Sequence, residues 1–596
     1  MLSLVSKLEK TVLAAIERGL GLTGVPAMLM PTKDDKRGDY QCNAALSLAK
    51  RLKTNPREAA AKLAEAIMLC DGGQAGGDGS MIKSCEVAGP GFINLTLKDE
   101  AVIEAVKEIS ERRSNERPLR VLVDYSSPNA AKQMHVGHLR SSIIGDSICR
   151  ILDYLGHEVI RDNHVGDWGT QFGLLCAYIM DHLQRDCREV DLSDLEALYR
   201  ESQALANEDE AFKEKAHARV VALHNGDKET LEVWRYIIDK SLEHIQAVYK
   251  KLGVLLTKED VVGESFFNPM LPGAVRELQE RFPEGSRPME VKENEGAMCI
   301  FMYNEDGSPK FANPEGEPLP FIIRKSDGAF LYATTDLACM RYRTEELHCD
   351  WIIITTDSRQ SLHFQMLFES SAAAGWSGKA KVEHVAFGSV LGKDNKPLKT
   401  RAGRNVHLSD LLDEAVSMAK EACRRNAENR GFSEEEIECI AEAVGIGAVK
   451  YADLSQNRIN DYVFSFEKML AMEGNTAPYL LYAYARICSI IRRAEEAGLR
   501  GAEDIKAKEP VERRLLLQLA RFNDIIDQVA DGWRINLLCE YLYNLAGFYM
   551  KFYESCSVLN AEDEAVRLSR LGLCRETARV LRIGLGLLGI KTVERM

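Results

Sequence analysis

Two histidines three positions apart are the clearest candidates in this sequence for binding a ligand or taking part in catalysis. His135 and His138 lie in the segment SSPNAAKQMHVGHLRSSIIGD, residues 126–146. A zinc site would need a further protein ligand, and the nearby His157 and His164 have no recognised metal-ligand spacing to this pair. We therefore expect no protein-bound structural metal and favour a different ligand for the histidines.

The residues around the pair favour an anion. A β-branched run, LRVLVDYSS, precedes the histidines and an amphipathic helix follows them. Free backbone N–H groups and the helix dipole attract phosphate at such a helix start. Gly137 would let a flat base or ribose approach the backbone, and two imidazoles with Lys132 can donate to phosphate oxygens.

The elements that position this segment read as a parallel sheet. LRVLVDYSS, the helix GHLRSSIIGDSICRILDYLG and HEVIRDN form one strand–helix–strand unit, and a second set includes AFLYATTDLACMRYRTEE, DWIIITT, SLHFQMLFESSAAAGW and VEHVAFGSV. We predict an α/β fold with one Rossmann-like, doubly wound parallel sheet in residues 116–404. A largely helical insertion at about 180–320 splits it.

The flanking regions differ in pattern. Residues 1–115 read as an α+β domain, in which Asn55 caps a helix that Pro56 begins. Strand signals end near residue 405, so 405–470 is predicted to be a helical connection and 471–596 an all-helical bundle. Near the C-terminus, a helical stripe is either a solvated face or an anion-binding face; its members are Arg575, Arg579 and Arg582.

Composition limits the class of protein. The chain has 596 residues and a formal net charge of −14, so its surface as a whole does not attract phosphate and local patches must do so. Its 15 cysteines form no CxxC motif, which favours a reducing cytosol and a cytoplasmic location. No run of eighteen apolar residues is present, so no membrane span is expected.

Several motifs in order resemble one family. HVGH resembles the HIGH signature of class I aminoacyl-tRNA synthetases, and NHVGDWGTQFGLL, LYATTDLA, DSRQSLHFQ and PYLLYAYARI extend the resemblance to the arginyl-tRNA synthetases over nearly the whole chain. The signature region spans Pro128, Asn129, Ala130, Ala131, Lys132, Gln133, Met134, His135, Val136, Gly137 and His138. The resemblance implies a monomer that uses ATP with Mg²⁺ to form arginyl-adenylate from L-arginine and passes the arginyl group to the terminal 2′-hydroxyl of tRNA(Arg).

The resemblance also implies residue roles. His135 and His138 would contact the triphosphate and Gly137 the adenine region. The arginine site would comprise Asp124, Ser127, Asn129, His135, Tyr332, Asp336 and Gln360. A carboxylate such as that of Asp336 can accept two parallel hydrogen bonds from a guanidinium, which lysine cannot reproduce.

One departure from the class I pattern concerns a cation. Where a KMSKS loop is expected, the chain has KPLKTRAG, which lacks the second lysine. The resemblance implies that Lys132, which lies just before the histidines, compensates for the lost charge. The alternatives are cations of the loop itself: Lys393, Lys399 and Arg401. The sequence leaves the choice between Lys132 and these residues open.

Family resemblance further assigns 1–115 to the tRNA elbow and 471–596, a DALR-type domain, to the anticodon. Tyr479, Tyr482 and Tyr484 are either platforms for unstacked bases or core residues. Two other classes of protein are compatible with the signature: another nucleotidyltransferase with the HIGH signature, and a non-catalytic tRNA-binding relative. Chain length and Asp336 count against the first, and retention of His135, His138 and Asn129 counts against the second.

Overall fold

The structure is a computed structural model that describes residues 3–32, 37–72, 80–184, 186–189, 195–392, 394–396, 398, 406–427, 431–502 and 505–596. It has two compact units. The first comprises Met1–Asn115, Ala471–Leu587 and Lys591–Met596, and the second Glu116–Leu470 and Leu588–Ile590. Within the described ranges, no helix combines the length and apolar character that crossing a membrane requires.

The N-terminal part of the first unit is a small α+β structure. Its elements are α1 Leu4–Ala14, β1 Leu29–Pro31, β2 Tyr40–Cys42, α2 Ala44–Leu52, α3 Pro56–Gly72, β3 Ile82–Ala88, β4 Phe92–Leu97 and α4 Asp99–Lys107. The strands form an antiparallel sheet in the order β1-β2-β4-β3. The predicted cap of α3 is confirmed, because the Glu58 N–H donates to Asn55 Oδ1 at 2.9 Å.

The second unit carries the parallel sheet. Its elements are β5 Arg120–Asp124, α5 Val136–Tyr154, β6 Glu158–Asp162, α6 Thr170–Ala177, α7 Leu195–Glu208, α8 Glu210–His224, α9 Lys228–Leu252, α10 Glu264–Phe267, α11 Leu271–Arg281, β7 Met289–Asn294, β8 Ala297–Met302, β9 Phe321–Arg324, α12 Tyr332–Glu345, β10 Trp351–Ile354, α13 Ser361–Ala373, β11 Lys381–His384, β12 Val390–Leu391, α14 Leu408–Ala427, α15 Glu434–Leu454, β13 Tyr462–Val463 and α16 Phe466–Met469.

Strand order confirms the predicted sheet. The order is β11-β10-β5-β6 with every pair parallel, so both predicted halves contribute to one sheet. Asp124 is in register with Ile354 on one side and Asp162 on the other. The carboxyl ends of the strands therefore meet at one edge, where open α/β sheets bind ligands.

The insertion is less uniformly helical than expected. Helices continue to Arg281, but β7, β8 and β9 then form an antiparallel sheet, and Val291, Ile300 and Ile323 of this sheet belong to a core shared with Leu337 of α12. A second unpredicted pair is β12 with β13. These short strands depend on partners distant in sequence, which periodicity within each segment does not reveal.

The C-terminal part of the first unit is helical, as predicted. Its helices are α17 Ala477–Glu496, α18 Pro510–Ala520, α19 Phe522–Ala530, α20 Asn536–Ser555 and α21 Glu564–Leu587. The three arginines of α21 have partners within this unit. Arg575 bonds Glu495 at 3.1 Å, Arg579 bonds the Val106 carbonyl at 3.0 Å, and Arg582 bonds Glu111. These contacts favour a structural role over an anion-binding face.

Candidate active site

The histidine pair forms the first turn of α5. His135 occupies the N-cap position: its Nδ1 accepts from the Gly137 N–H at 3.0 Å, and its own N–H donates to His138 Nδ1 at 3.1 Å. The ring centroids are 4.0 Å apart. Because each Nδ1 accepts a backbone N–H, the neutral form of each ring carries its proton on Nε2. The helix start thus presents two imidazole donors.

His138 is a neutral donor and not a cation. Burial and the neighbouring His135 lower the pKa of His138 to about 3. The charged form is disfavoured because the ring has lost solvent and gains no anionic partner. Its contribution to an anion at this helix start is therefore a hydrogen bond.

The structure shows why position 137 requires a glycine, which the sequence alone did not. A Cβ at this position would lie 2.7 Å from Cε1 and 2.8 Å from Nδ1 of the His135 ring. The glycine makes room for that ring, and so permits the reciprocal bonds of the helix cap.

A cavity of about 230 Å³ opens beside the pair. His135, Gly137 and Arg359 line it together with the 387–390 segment that enters β12. This cavity lies at the carboxyl edge of the parallel sheet, since Arg359 follows β10 and Gly137 follows β5. A helix start at the carboxyl edge of a parallel sheet is a setting that favours phosphate groups, and His135 lies beside this cavity.

Lys132 is not brought into that cavity. It lines a different cavity of about 280 Å³ with Met134, Ser241 and Lys251, and its ammonium lies 5.6 Å from the centre of the Tyr199 ring. The other predicted cations, Lys393, Lys399 and Arg401, lie outside the described residues.

Although the loop itself is not described, both of its ends adjoin the histidine site. Leu398 lines the cavity beside His135. Beyond the loop, the Val136 N–H donates to the Val406 carbonyl at 3.1 Å and the Leu408 N–H to the Met134 carbonyl at 2.8 Å. The segment after the loop is therefore fixed to the histidine motif.

The Asp124 carboxylate accepts hydrogen bonds from two side chains of this chain. Its carboxylate is 6% exposed and accepts from Arg343 Nη2 at 2.5 Å and from Ser127 Oγ at 2.8 Å. Arg343 also donates to Asp162 at 2.9 Å. The buried carboxylate thus has a charged and a hydroxyl donor within the chain, and its predicted contact with arginine stays a prediction.

Ser127 and Asn129 occupy an unusual stretch of backbone after β5. Ser126 and Ser127 both have positive φ, 71° and 44°. The Ser127 N–H donates to Asn163 Oδ1 at 3.1 Å, and Ser127 Oγ accepts from the His164 N–H at 3.2 Å. Backbone held in this region by surrounding bonds is typical of functional sites.

Asn129 lies against a glycine of the NHVGDWG motif. The Ala130 N–H donates to the Gly166 carbonyl at 3.0 Å, and a Cβ on Gly166 would come within 2.3 Å of Asn129 Oδ1. Gly166 therefore provides space for the Asn129 side chain, which is exposed at the sheet edge. The two motifs form one surface.

The residues predicted to bind the guanidinium lie on α12 or directly before α13. Tyr332 begins α12 and is 62% exposed, and Asp336 follows one turn later. Gln360 directly precedes α13 and is exposed. His363 of α13 was not singled out from the sequence: its Nε2 bonds Asp336 Oδ2 at 2.6 Å, and its ring centroid lies 4.8 Å from that of Tyr332.

Glu264 is a second residue that sequence reasoning missed. Burial raises the pKa of Glu264 to about 7; His164 opposes this rise, and the carboxylates of Asp336 and Asp167 add to it. The Glu264 N–H donates to the Val165 carbonyl at 3.1 Å, which fixes the start of α10 beside the NHVGDWG motif. The negative charge of Asp336 and Asp167 thus acts on Glu264 and makes its surroundings favourable for a cation.

The tyrosines of α17 have different surroundings. Tyr484 is 6% exposed and belongs to the core, whereas Tyr479 and Tyr482 are partly exposed. The Tyr479 ring lies 5.6 Å from that of Tyr543. The core interpretation thus holds for Tyr484.

No group of three or more His, Cys, Asp or Glu side chains among the described residues is arranged to hold a metal ion. This statement covers the histidine pair, since both residues are described.

Comparison with known families accounts for most of the chain. Residues 100–466 match the family described as "tRNA synthetases class I (R), catalytic domain". Residues 6–97 match "Arginyl tRNA synthetase N terminal domain", and 480–596 match "DALR anticodon binding domain". The parallel sheet, the histidine pair at the start of α5 and the first of these matches define a class I aminoacyl-tRNA synthetase.

Individual relatives identify the branch of that class. The arginine–tRNA ligase of Marinomonas sp. (strain MWYL1) is 46% identical over 570 residues, covering 94% of each chain, and that of Hahella chejuensis (strain KCTC 2396) is 44% identical over 598 residues, covering 99% of each. The solved arginyl-tRNA synthetase of Plasmodium falciparum superposes with a TM-score of 0.82 at 31% identity, covering 100% of both chains. The chain belongs to the arginyl-tRNA synthetase family.

Proposed function

We propose that this chain activates L-arginine with ATP, supplied with Mg²⁺, and esterifies the terminal adenosine of tRNA(Arg). The arginine carboxylate attacks the α-phosphorus and pyrophosphate leaves; the 2′-hydroxyl then attacks the arginyl carbonyl, and AMP leaves. The observation that carries the proposal is the reciprocal capping of α5 by His135 and His138 beside a cavity at the carboxyl edge of the parallel sheet. Asp336 and Glu264 add negative charge in the same unit. The two carboxylates suit a guanidinium, and the cavity beside His135 suits a nucleotide.

ATP is proposed to bind in the cavity beside His135. The Nε2–H groups of His135 and His138 would donate to phosphate oxygens, and the N-terminus of α5 would add its dipole. Because His138 is neutral, it can stabilise developing negative charge without first losing or gaining a proton. Positioning of the two reactants, and not covalent catalysis by the protein, would supply the rate enhancement.

Arginine is proposed to place its guanidinium between Asp336 and Glu264, with the Tyr332 ring at the opening. Asn129, Ser127 and Gln360 would face the α-amino and carboxylate end. We propose that Asp124 supports Ser127 through the 2.8 Å hydrogen bond. A site with two carboxylates leaves them unpaired when most other amino acids enter, which supports selection by binding alone.

The family description matched by residues 480–596 supports an anticodon-binding role for the C-terminal part. We propose that residues 1–115 contact the tRNA elbow and that 471–596 bind the anticodon, with the partly exposed Tyr479 and Tyr482 as base-stacking candidates. A monomeric, cytoplasmic enzyme is part of the same proposal.

The direct test is charging by the purified full-length protein. A tRNA(Arg) transcript, ATP and Mg²⁺ should give acid-precipitable [¹⁴C]arginine, and other amino acids should give none. Charging of a different amino acid would refute the specificity. Binding of tRNA without charging would indicate a non-catalytic relative, and pyrophosphate release without a tRNA product would indicate another nucleotidyltransferase.

A further inference from the structure

Arg140 is a buried arginine two residues beyond the histidine pair. Its side chain is 1% exposed, although it lies on α5 at the edge of the nucleotide-sized cavity. Nη1 donates to the Gly388 carbonyl at 2.7 Å and to the Asn460 carbonyl at 3.0 Å, while Nε donates to Asp453 Oδ1 at 3.3 Å. One guanidinium therefore joins α5 to three other segments of the same unit.

Gly388 belongs to the wall of the cavity. Phe387, Gly388, Ser389 and Val390 all line it, together with His135 and Gly137. The position of this wall relative to α5 fixes the width available to a nucleotide. Arg140 is the side chain of α5 that bonds the wall directly.

The wall is in turn attached to the segment 458–463. The Gly388 N–H donates to the Arg458 carbonyl at 2.9 Å, and the Ser389 N–H to Asp461 Oδ1 at 2.6 Å. A Cβ on Gly388 would lie 2.6 Å from Asp461 Oδ1, so the two segments are in close contact. Arg140 donates hydrogen bonds to both segments, to the Gly388 carbonyl and the Asn460 carbonyl, so a shift of its side chain would move both.

The surroundings of Arg140 require a planar cation. The guanidinium carbon lies 5.8 Å from the centre of the Phe387 ring and 5.4 Å from that of Tyr462. A lysine could pair with Asp453 but could not donate in a fixed plane to two carbonyls between two rings. Nη2 is buried without a hydrogen-bond partner, so the arrangement is not the one that maximises stability.

We propose that Arg140 is a positioning residue for ATP, which holds the 387–390 wall at a fixed separation from His135 and His138. This inference rests on the proposed function, because it takes the cavity to be the nucleotide site. Arg140 also lines the cavity, but its Nη1 and Nε are committed to the Gly388 and Asn460 carbonyls and to Asp453, so it acts through Gly388. Its loss should affect ATP and leave arginine recognition by Asp336 unchanged.

The test compares Arg140→Lys with the wild type in ATP–pyrophosphate exchange with tRNA present. We expect kcat/KM for ATP to fall by about 10- to 100-fold, the scale of misplacing reacting groups by about 1 Å. KM for arginine should stay within about twofold, since the interactions of the guanidinium site are retained. Melting temperature is measured on the same preparations.

Arg219→Lys is the matched control. Arg219 forms a comparable fork, with Nη2 to Asp181 Oδ1 at 2.6 Å and Nε to Asp181 Oδ2 at 2.8 Å, in the helical insertion away from the cavity. Its loss should leave KM for ATP unchanged. If Arg140→Lys does not fold, Asp453→Asn replaces it: the Gly388 bond remains, and a smaller rise of KM for ATP is expected.

The outcomes separate the two proposals. A lower melting temperature for Arg140→Lys with unchanged kinetic constants would show a purely structural residue and overturn the inference. An equal rise of KM for arginine and ATP would also overturn it. If the wild type shows no arginine-dependent exchange, the proposed function itself fails.

Discussion

Asp336 and His363 are joined by a 2.6 Å hydrogen bond between Oδ2 and Nε2, which links α12 to α13 at the proposed guanidinium site. The bond uses one carboxylate oxygen and fixes the rotation of the carboxyl group. The other oxygen keeps its capacity to accept from a ligand. His363 thus orients the residue on which arginine specificity is proposed to depend.

Replacement of Asp336 by asparagine should weaken the use of arginine. The variant keeps the shape of the side chain but loses its charge, and charge-assisted bonds to a guanidinium contribute about 1.5–3 kcal/mol each. We expect kcat/KM for arginine to fall by about 10- to 100-fold and KM for ATP to change little. Steady-state charging assays at varied arginine and varied ATP measure both. An equal effect on ATP would contradict the assignment.

Glu264 should make arginine binding dependent on pH. Its pKa is raised to about 7, so a proton occupies the carboxyl group in about half of the free molecules near neutrality. A guanidinium favours the ionised form, so KM for arginine should fall as pH rises from 6 to 8. Glu264→Gln should bind arginine more weakly and lose this dependence. A wild-type KM that stays constant across this range would exclude the role.

His138→Ala should slow adenylate formation by on the order of 100-fold, the effect of losing one transition-state donor. KM for arginine should remain close to that of the wild type. Because the pKa of His138 is lowered to about 3, the wild-type rate should show no inflection from this residue between pH 5 and 8. Pyrophosphate exchange across that range, compared in His138→Ala and His138→Gln, measures both effects.

Gly137→Ala should impair the histidine site because the new Cβ would lie 2.7 Å from the His135 ring. We expect kcat for exchange to fall by about tenfold or more, with displacement of the ring as the cause. Gly273→Ala is the control: it lies in α11 with no atom within 4 Å of the added Cβ. That control should keep full activity, and its helix should gain up to about 1 kcal/mol. Normal kinetics for Gly137→Ala would refute the steric argument.

Removal of metals should distinguish the magnesium of ATP from a protein-bound metal. A chelator selective for zinc should leave charging intact, while EDTA should abolish it and added Mg²⁺ should restore it fully. Both assays use the same enzyme preparation. Loss of activity with the zinc chelator, reversed only by zinc, would show that the histidines serve a metal after all.

The sequence by itself determined the elements around the catalytic sheet and the class of chemistry. Hydrophobic runs of the right length and the strand-to-helix junction at His135 are local features, and they predicted β5, α5, β6 and β10. The expected roles of Asp336 and Asn129 came from the resemblance of their motifs to one family. Secondary structure and short motifs depend mainly on residues that are close in sequence, so the sequence alone predicts them.

Tertiary structure decided which side chains share a site. Glu264 and His363 meet Asp336 only because α10, α12 and α13 converge, while Asp124 is turned to Arg343 and Lys132 to the Tyr199 ring. The proposed role of Arg140 depends on its hydrogen bond to the Gly388 carbonyl, 248 positions away in sequence. Burial, charge pairing and close packing between distant segments are properties of the folded chain, so residue spacing in the sequence could not reveal them.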